Sequence, residues 1–155
     1  MPKVDLSKAP RAQGTRYPEV FAGPCRKRHW LRLGDAAGID QFGVNLLTLE
    51  PGTWSSQRHW HSHEDEFVYL LEGELVLVTD AGEELLQAGD CAGFKAGDRN
   101  GHHLQNRSTR PARLLVIGSR DDQDEGEYPD IDMKFTAGRY SGRGSGFAHK
   151  DGTPY

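Results

Sequence analysis

Arg58-His59-Trp60-His61-Ser62-His63-Glu64-Asp65-Glu66 concentrates metal-binding and proton-transfer groups in nine consecutive residues. In an extended chain, side chains two residues apart share a face. His59 and His61 therefore point together into whatever a sheet encloses, and Trp60 points the other way. Two imidazoles seldom hold a divalent ion alone, so further donors have to come from elsewhere. Glu66 follows closely and opens the apolar run Phe67-Val68-Tyr69-Leu70-Leu71, so a turn through Ser62 to Asp65 can bring it beside the pair. The other candidate is His102 or its neighbour His103, at the start of His102-His103-Leu104-Gln105-Asn106.

Outward from this stretch the composition favours strands. A hydrophobic content of 35% is low, and 19 Gly with 8 Pro make a turn-rich chain with no sustained helical period. At 155 residues, one domain with a substantial core is expected. Expected strands are His29 to Leu33, Ile39 to Leu49, Glu66 to Leu71, Leu75 to Thr79, Leu85-Leu86, Cys91 to Lys95, His102 to Asn106 and Ala112 to Gly118. Short Gly-, Pro- or Asp-bearing turns separate most of them. This spacing predicts an all-β antiparallel sandwich or barrel over residues 29–120. Residues 1–28, with Pro2, Pro10, Pro18 and Pro24, are expected as an extended arm that stays loose or lies along a neighbouring subunit's sheet edge. Residues 121–155 form an acidic segment and an irregular, Gly- and Ser-rich tail.

The net charge of −4 argues against a nucleic-acid partner. Its distribution is uneven, because Met1 to Leu33 is basic and Asp121 to Asp132 is acidic, and two readings stand equal: the ends attract each other, within a chain or between subunits, or they carry solvated charge on two mobile segments. Cys25 and Cys91 make no disulfide framework, which fits a reduced, cytoplasmic setting. No run approaches the ~20 apolar residues of a membrane span, and no signal-type leader is evident.

Gly52, His59, His61, Glu66 and Gly73 fall in the pattern G-x5-H-x-H-x(3,4)-E-x6-G, with one extra residue after Gly52. Gly89, Gly97, His102 and Asn106 follow G-x5-P-x-G-x2-H-x3-N, with Lys95 in place of Pro and a longer step from Gly97 to His102. In these two motifs, in this order, the chain resembles the cupins, small β-barrels of the jelly-roll, or double-stranded β-helix, type. The resemblance covers roughly residues 43–118, and it is similar to single-domain bacterial cupins, some loosely labelled sugar-phosphate isomerase-like. It implies that His59, His61, Glu66 and His102 bind one divalent metal ion, Zn, Fe, Mn, Ni or Co, inside the barrel. The spacing to Asn106 favours His102 over His103.

Such a donor set leaves positions for water or substrate oxygen. The leading expectation is therefore an enzyme that uses the metal as a Lewis acid on a small oxygen-rich metabolite, of isomerase or lyase type. An Fe(II)-dependent dioxygenase and a non-catalytic metal-bearing ligand sensor are the alternatives. Leu104 shares a face with His102, as an apolar wall does. Arg58, Gln105 and Asn45 are candidate substrate anchors, and Trp54 and Trp60 candidate subunit contacts. Tyr69, opposite in parity to Glu66, faces away. His63, Glu64 and Asp65, with His103 and Tyr69, are candidate proton carriers beside the ligands, but each reads first as a solvated turn or packing residue. A homodimer is expected from the arm and from the habit of the family.

Overall fold

A computed structural model describes residues 3–144 and 146–155. Among them, twelve strands run in the order β1 (Arg11–Gln13), β2 (Arg28–Arg32), β3 (Phe42–Leu49), β4 (Glu66–Glu72), β5 (Glu74–Thr79), β6 (Gly82–Gln87), β7 (Cys91–Phe94), β8 (His103–Gln105), β9 (Ala112–Ser119), β10 (Gly126–Tyr128), β11 (Met133–Phe135) and β12 (Phe147–Ala148). Two short helices lie among the first strands, α1 (Glu19–Ala22) between β1 and β2 and α2 (Leu33–Ala37) between β2 and β3. No helix among the described residues is long and apolar enough to cross a membrane.

A six-stranded sheet, β1-β2-β3-β9-β4-β7, faces a three-stranded sheet, β6-β5-β8, with antiparallel pairing throughout. The chain is all-β, with the layout of a jelly roll. Period-two alternation sets which side chains enter the core. Leu47 and Leu49 of β3, Val68 and Leu70 of β4, Leu75 and Leu77 of β5, and Ala112 and Leu114 of β9 meet between the sheets. Their neighbours Phe67 and Tyr69 face outward, as parity requires. Gly73 joins β4 to β5 at φ 83°, and a Cβ there would sit 3.0 Å from Ala112 and from the Pro111 carbonyl, so the turn needs glycine.

The N-terminal segment departs from the expected extended arm. β1 pairs with β2 of its own chain, Ala12 opposite Trp30, and Ala9, Ala22 and Cys25 are buried. The free edge beside β2 is thus covered from within the chain, which removes its unpaired N–H and C=O groups from solvent.

The C-terminal segment is also ordered, as a small sheet β10-β11-β12. Tyr128, Met133 and Phe135 form a second core with Tyr17, Phe21 and Phe147. Tyr17 meets Tyr128 edge-on at 5.6 Å and Phe147 at 5.2 Å. The ends of the chain therefore meet through aromatic packing. Among the described residues no ion pair joins the basic N-terminal segment to the acidic one, so of the two readings of the charge the attraction between the ends is not seen. Exposed charges keep their hydration, whereas these rings gain by leaving water.

β10 runs along the histidine-bearing segment: Trp60 N–H donates to the Glu127 carbonyl at 3.3 Å and Ser62 N–H to that of Glu125 at 2.8 Å. At Gly126 the two backbones approach so closely that a Cβ would lie 1.9 Å from the Trp60 carbonyl oxygen and 2.6 Å from the Phe135 ring. Gly126→Ala must push β10 off this segment, at a cost of about 1–3 kcal/mol. A melting temperature equal to the parent's would contradict that contact.

Candidate metal centre

The four residues of the two sequence motifs come to one place from three segments. His59 and His61 lie on an irregular extended segment rather than a regular strand, and an isolated bridge holds it: His59 N–H donates to the His102 carbonyl at 3.2 Å and His102 N–H to that of His59 at 2.9 Å. This exchange puts both histidine segments side by side just before β8. Glu66 is the first residue of β4, reached through the turn after His61.

The donor atoms converge. His59 Nε2 lies 3.1 Å from His61 Nε2. Glu66 Oε2 lies 3.2 Å from His102 Nε2, 3.5 Å from His61 Nε2 and 3.9 Å from His59 Nε2. Donors bound about 2.1 Å from a common ion stand about 3.0–3.4 Å apart, so the shorter of these separations match a ligand set, the 3.9 Å one is longer, and His102 touches the group through Glu66. His59, His61 and Glu66 offer atoms within 4.8 Å of one another.

The surroundings orient the rings for that use. The His59 Nδ1–H donates to the Gln57 carbonyl at 3.0 Å and that of His61 to Asp124 Oδ2 at 2.7 Å, which turns both Nε2 atoms toward the centre. Asp124 is itself fully buried and accepts from the His63 backbone N–H at 2.9 Å. His102 is pinned by its stack on Phe94, with ring centroids 3.5 Å apart and planes 2° from parallel. Its Nδ1 is buried without a hydrogen-bond partner, leaving Nε2 as the nitrogen engaged at the centre. Donor chemistry, orientation and spacing all fit a divalent ion.

Charges in the cluster respond to one another. For His61, burial disfavours the imidazolium, but the hydrogen bond to Asp124 and then that to Glu66 outweigh it and lift the group to about 9. Burial likewise opposes the Glu66 carboxylate, and hydrogen bonds from His102 and His61 outweigh it, holding the group well below the usual range. His59 is held well below its ordinary value by burial, with repulsion from His61 and His102 adding to it.

His103 faces elsewhere. Its Nδ1–H donates to the Ser56 carbonyl at 3.0 Å, its Nε2 accepts from Gln105 at 2.8 Å, and its ring packs on Trp54 at 4.8 Å. The structure thus brings His102, not His103, to the other donors. Gln105 is engaged there and with Arg107 rather than at the centre. Arg58 is tied by Asp130 at 2.7 and 2.8 Å and by Asp80, so it does not line the cavity. Asn45 lines the cavity of about 460 Å³ that runs from β3 to His61 and Glu66. Trp60 stacks under Arg99 at 5.2 Å, and both tryptophans have partners within the chain.

Glu64 is more than a turn residue. Buried, it accepts from Tyr140 Oη at 2.7 Å, from the Asp121 N–H at 3.0 Å and from Arg139 at 2.6 Å. Arg139 also donates to Asp124 at 2.7 Å. His61, Glu64 and Asp124 form a second group of donor type, but the Arg139 guanidinium already supplies its positive charge. Asp124, Phe94 and Arg139 were not singled out by sequence reasoning. Each is remote from the motif in the chain, and an aspartate in an acidic run carries no spacing signal.

A cavity of about 260 Å³ opens on the centre, with His59, His61, Glu66 and His102 in its wall and Leu104 and Val68 among its apolar residues. This combination of a few polar groups on an apolar lining is that of a small-ligand site.

Comparison with known proteins agrees with this fold. The family described as "Cupin domain" matches residues 45–118. The structure of a cupin-superfamily sugar phosphate isomerase from Silicibacter pomeroyi superposes with a TM-score of 0.90 at 48% identity, covering 99% of this chain and 96% of that one. A candidate sugar phosphate isomerase from Acidithiobacillus ferrooxidans gives a TM-score of 0.78 at 28% identity, covering 96% and 88%. A tetracenomycin polyketide synthase protein from Streptomyces glaucescens is 33% identical over 69 residues, so the match spans only 44% of this chain and 44% of that curated relative. With near-complete coverage by the first of these structures and both motifs gathered at one centre, the chain belongs to the cupin superfamily.

Proposed function

We propose that the protein is a metal-dependent enzyme acting on a small oxygen-rich metabolite, a sugar, keto acid or related carboxylate, in an isomerase or lyase reaction. The observation that carries this reading is the convergence of His59, His61, Glu66 and His102 in the wall of one small cavity, with the His59 and His61 rings oriented so that Nε2 faces the centre. The isomerase name borne by the 48% identical protein supports the reaction type. One divalent ion per chain, held by these four residues, would supply Lewis-acid stabilisation of an oxyanion or enediolate.

The chain's own residues do the rest. Asp124 and the Gln57 carbonyl fix the rings of His61 and His59, so the donors need no reorganisation when a ligand arrives. Leu47, Val68, Leu104 and Val116 make the inner wall apolar, which excludes water from the reacting group.

The test is elemental analysis of protein purified without chelator or nickel affinity, followed by incubation with broad metabolite pools and mass-spectrometric readout. About one divalent ion per chain and a consumed metabolite are expected. Bound metal with no metabolite consumed would replace the enzyme reading with a binding module. Absence of metal under every loading condition would remove the reading altogether.

A further inference from the structure

The cavity at the metal centre is lined by an arginine that no carboxylate of the described residues pairs with. Arg28 lies in its wall, together with His59, His61, Glu66 and His102. Its Nε donates to the Gly14 carbonyl at 2.8 Å and its Nη1 to the Ser55 carbonyl, both neutral partners. Its guanidinium lies 5.6 Å from the Tyr17 ring and 5.4 Å from that of Trp30. No carboxylate pairs with it among the described residues. A half-buried guanidinium usually has an anionic partner, because neutral dipoles and ring faces do not cancel a full charge.

The contacts also hold Arg28 in place. Two of its five N–H donors are used by the carbonyls, which leaves three for a ligand. Arg16, next to the same cavity, has no ion pair among the described residues either, and its side chain borders both this cavity and the larger one beside it. The other arginines nearby have carboxylate partners: Arg139 pairs with Glu64 and Asp124, and Arg120 and Arg32 share Asp35. Of the arginines lining the two cavities, Arg28 and Arg16 are the ones with no carboxylate partner among the described residues. A divalent ion at the centre, even after subtraction of the Glu66 charge, would add to their charge.

We infer that the substrate is an anion, and that Arg28, assisted by Arg16, holds its carboxylate or phosphate group while the remainder of the molecule extends toward His59, His61, Glu66 and His102. A guanidinium with free parallel N–H groups suits either oxyanion, because both accept two such bonds. The inference rests on the metal-centre reading for where the remainder goes, but the anion site itself does not require a metal.

The experiment separates the two. Inorganic phosphate and, separately, glycolate are titrated calorimetrically at constant ionic strength into protein stripped of metal and dialysed free of chelator. The stripped protein is expected to bind at least one of them. Arg28→Met should weaken that binding about ten- to a hundredfold, the loss of charge-assisted hydrogen bonds, and Arg16→Met by a smaller factor. Tighter phosphate binding identifies a phosphoryl group, and tighter glycolate binding a carboxylate. Binding of neither anion at tens of millimolar, or equal affinity in parent and both variants, overturns the inference. Arg28→Met removes two backbone contacts, so its melting curve is recorded as well. If it fails to fold, Arg16→Met decides, and unchanged affinity there overturns the inference. Metal content measured in parallel keeps the outcomes distinct: Arg28-dependent anion binding without any metal uptake would sink the metal-centre reading alone.

Discussion

His59→Ala and His102→Ala should each lose bound divalent metal almost completely. Removing a group that only orients a ligand costs about ten- to a hundredfold in metal affinity, so removing a donor costs more than about a hundredfold. Both side chains reach the same place, His59 through Nε2 at 3.1 Å from that of His61 and His102 through Nε2 at 3.2 Å from Glu66. The comparison that makes the result specific is His103→Ala. That ring is equally buried but hydrogen-bonded to Ser56 and Gln105, so this variant should be less stable and still carry metal. Elemental analysis of the three purified variants, with melting curves, decides it. Full metal occupancy in both His59→Ala and His102→Ala would remove the proposed centre.

Asp124→Ala should act on metal and stability together. The carboxylate is fully buried and receives the His61 Nδ1–H at 2.7 Å, an Arg139 N–H at 2.7 Å and the backbone N–H of His63 at 2.9 Å. Breaking a buried ion pair by deleting one partner costs about 3–5 kcal/mol, because the remaining charge stays out of water. Arg139 keeps Glu64 as a partner, which places the expected loss at the lower end, about 3 kcal/mol. Metal affinity should fall about ten- to a hundredfold as the His61 ring loses its orienting acceptor. Asp124→Asn separates the effects: an amide oxygen can still accept from His61, so metal should be partly retained while the charge is lost. Urea unfolding of metal-free protein and chelator competition for the metal read the two quantities. A variant of parental stability and affinity would show that Asp124 does not support the centre.

The alternation of apolar residues along β3, β4, β5 and β9, and the glycines and prolines between strands, were sufficient to read the two-sheet core from the sequence. The reason is that strand periodicity is local: each segment declares its own buried face. The histidine motif was legible for the same reason, since His59 and His61 share a side in any extended backbone. The sequence also placed His102 ahead of His103, though only through the resemblance to cupins. In the structure the two rings part because consecutive side chains at the start of β8 take opposite sides, so one meets Glu66 and the other Trp54.

What the sequence by itself determined, then, is the class of fold, the strands that carry the barrel core and the resemblance to the family to which the chain belongs. Tertiary structure alone decided what surrounds the centre. Asp124 meets His61 across 63 residues of chain, and Arg28 reaches the Ser55 carbonyl across 27. No local spacing marks such pairs, because the first exists only once the C-terminal segment packs beside the barrel and the second only once β2 pairs with β3. That packing depends on Tyr17, Phe21, Tyr128 and Phe147 finding one another, residues scattered through stretches whose charge and proline content hid them. Burial of aromatic rings outweighs attraction between hydrated surface charges. The chain ends therefore fold onto the barrel, and bring Asp124 to the site, while the pairing of β2 with β3 sets Arg28 beside it.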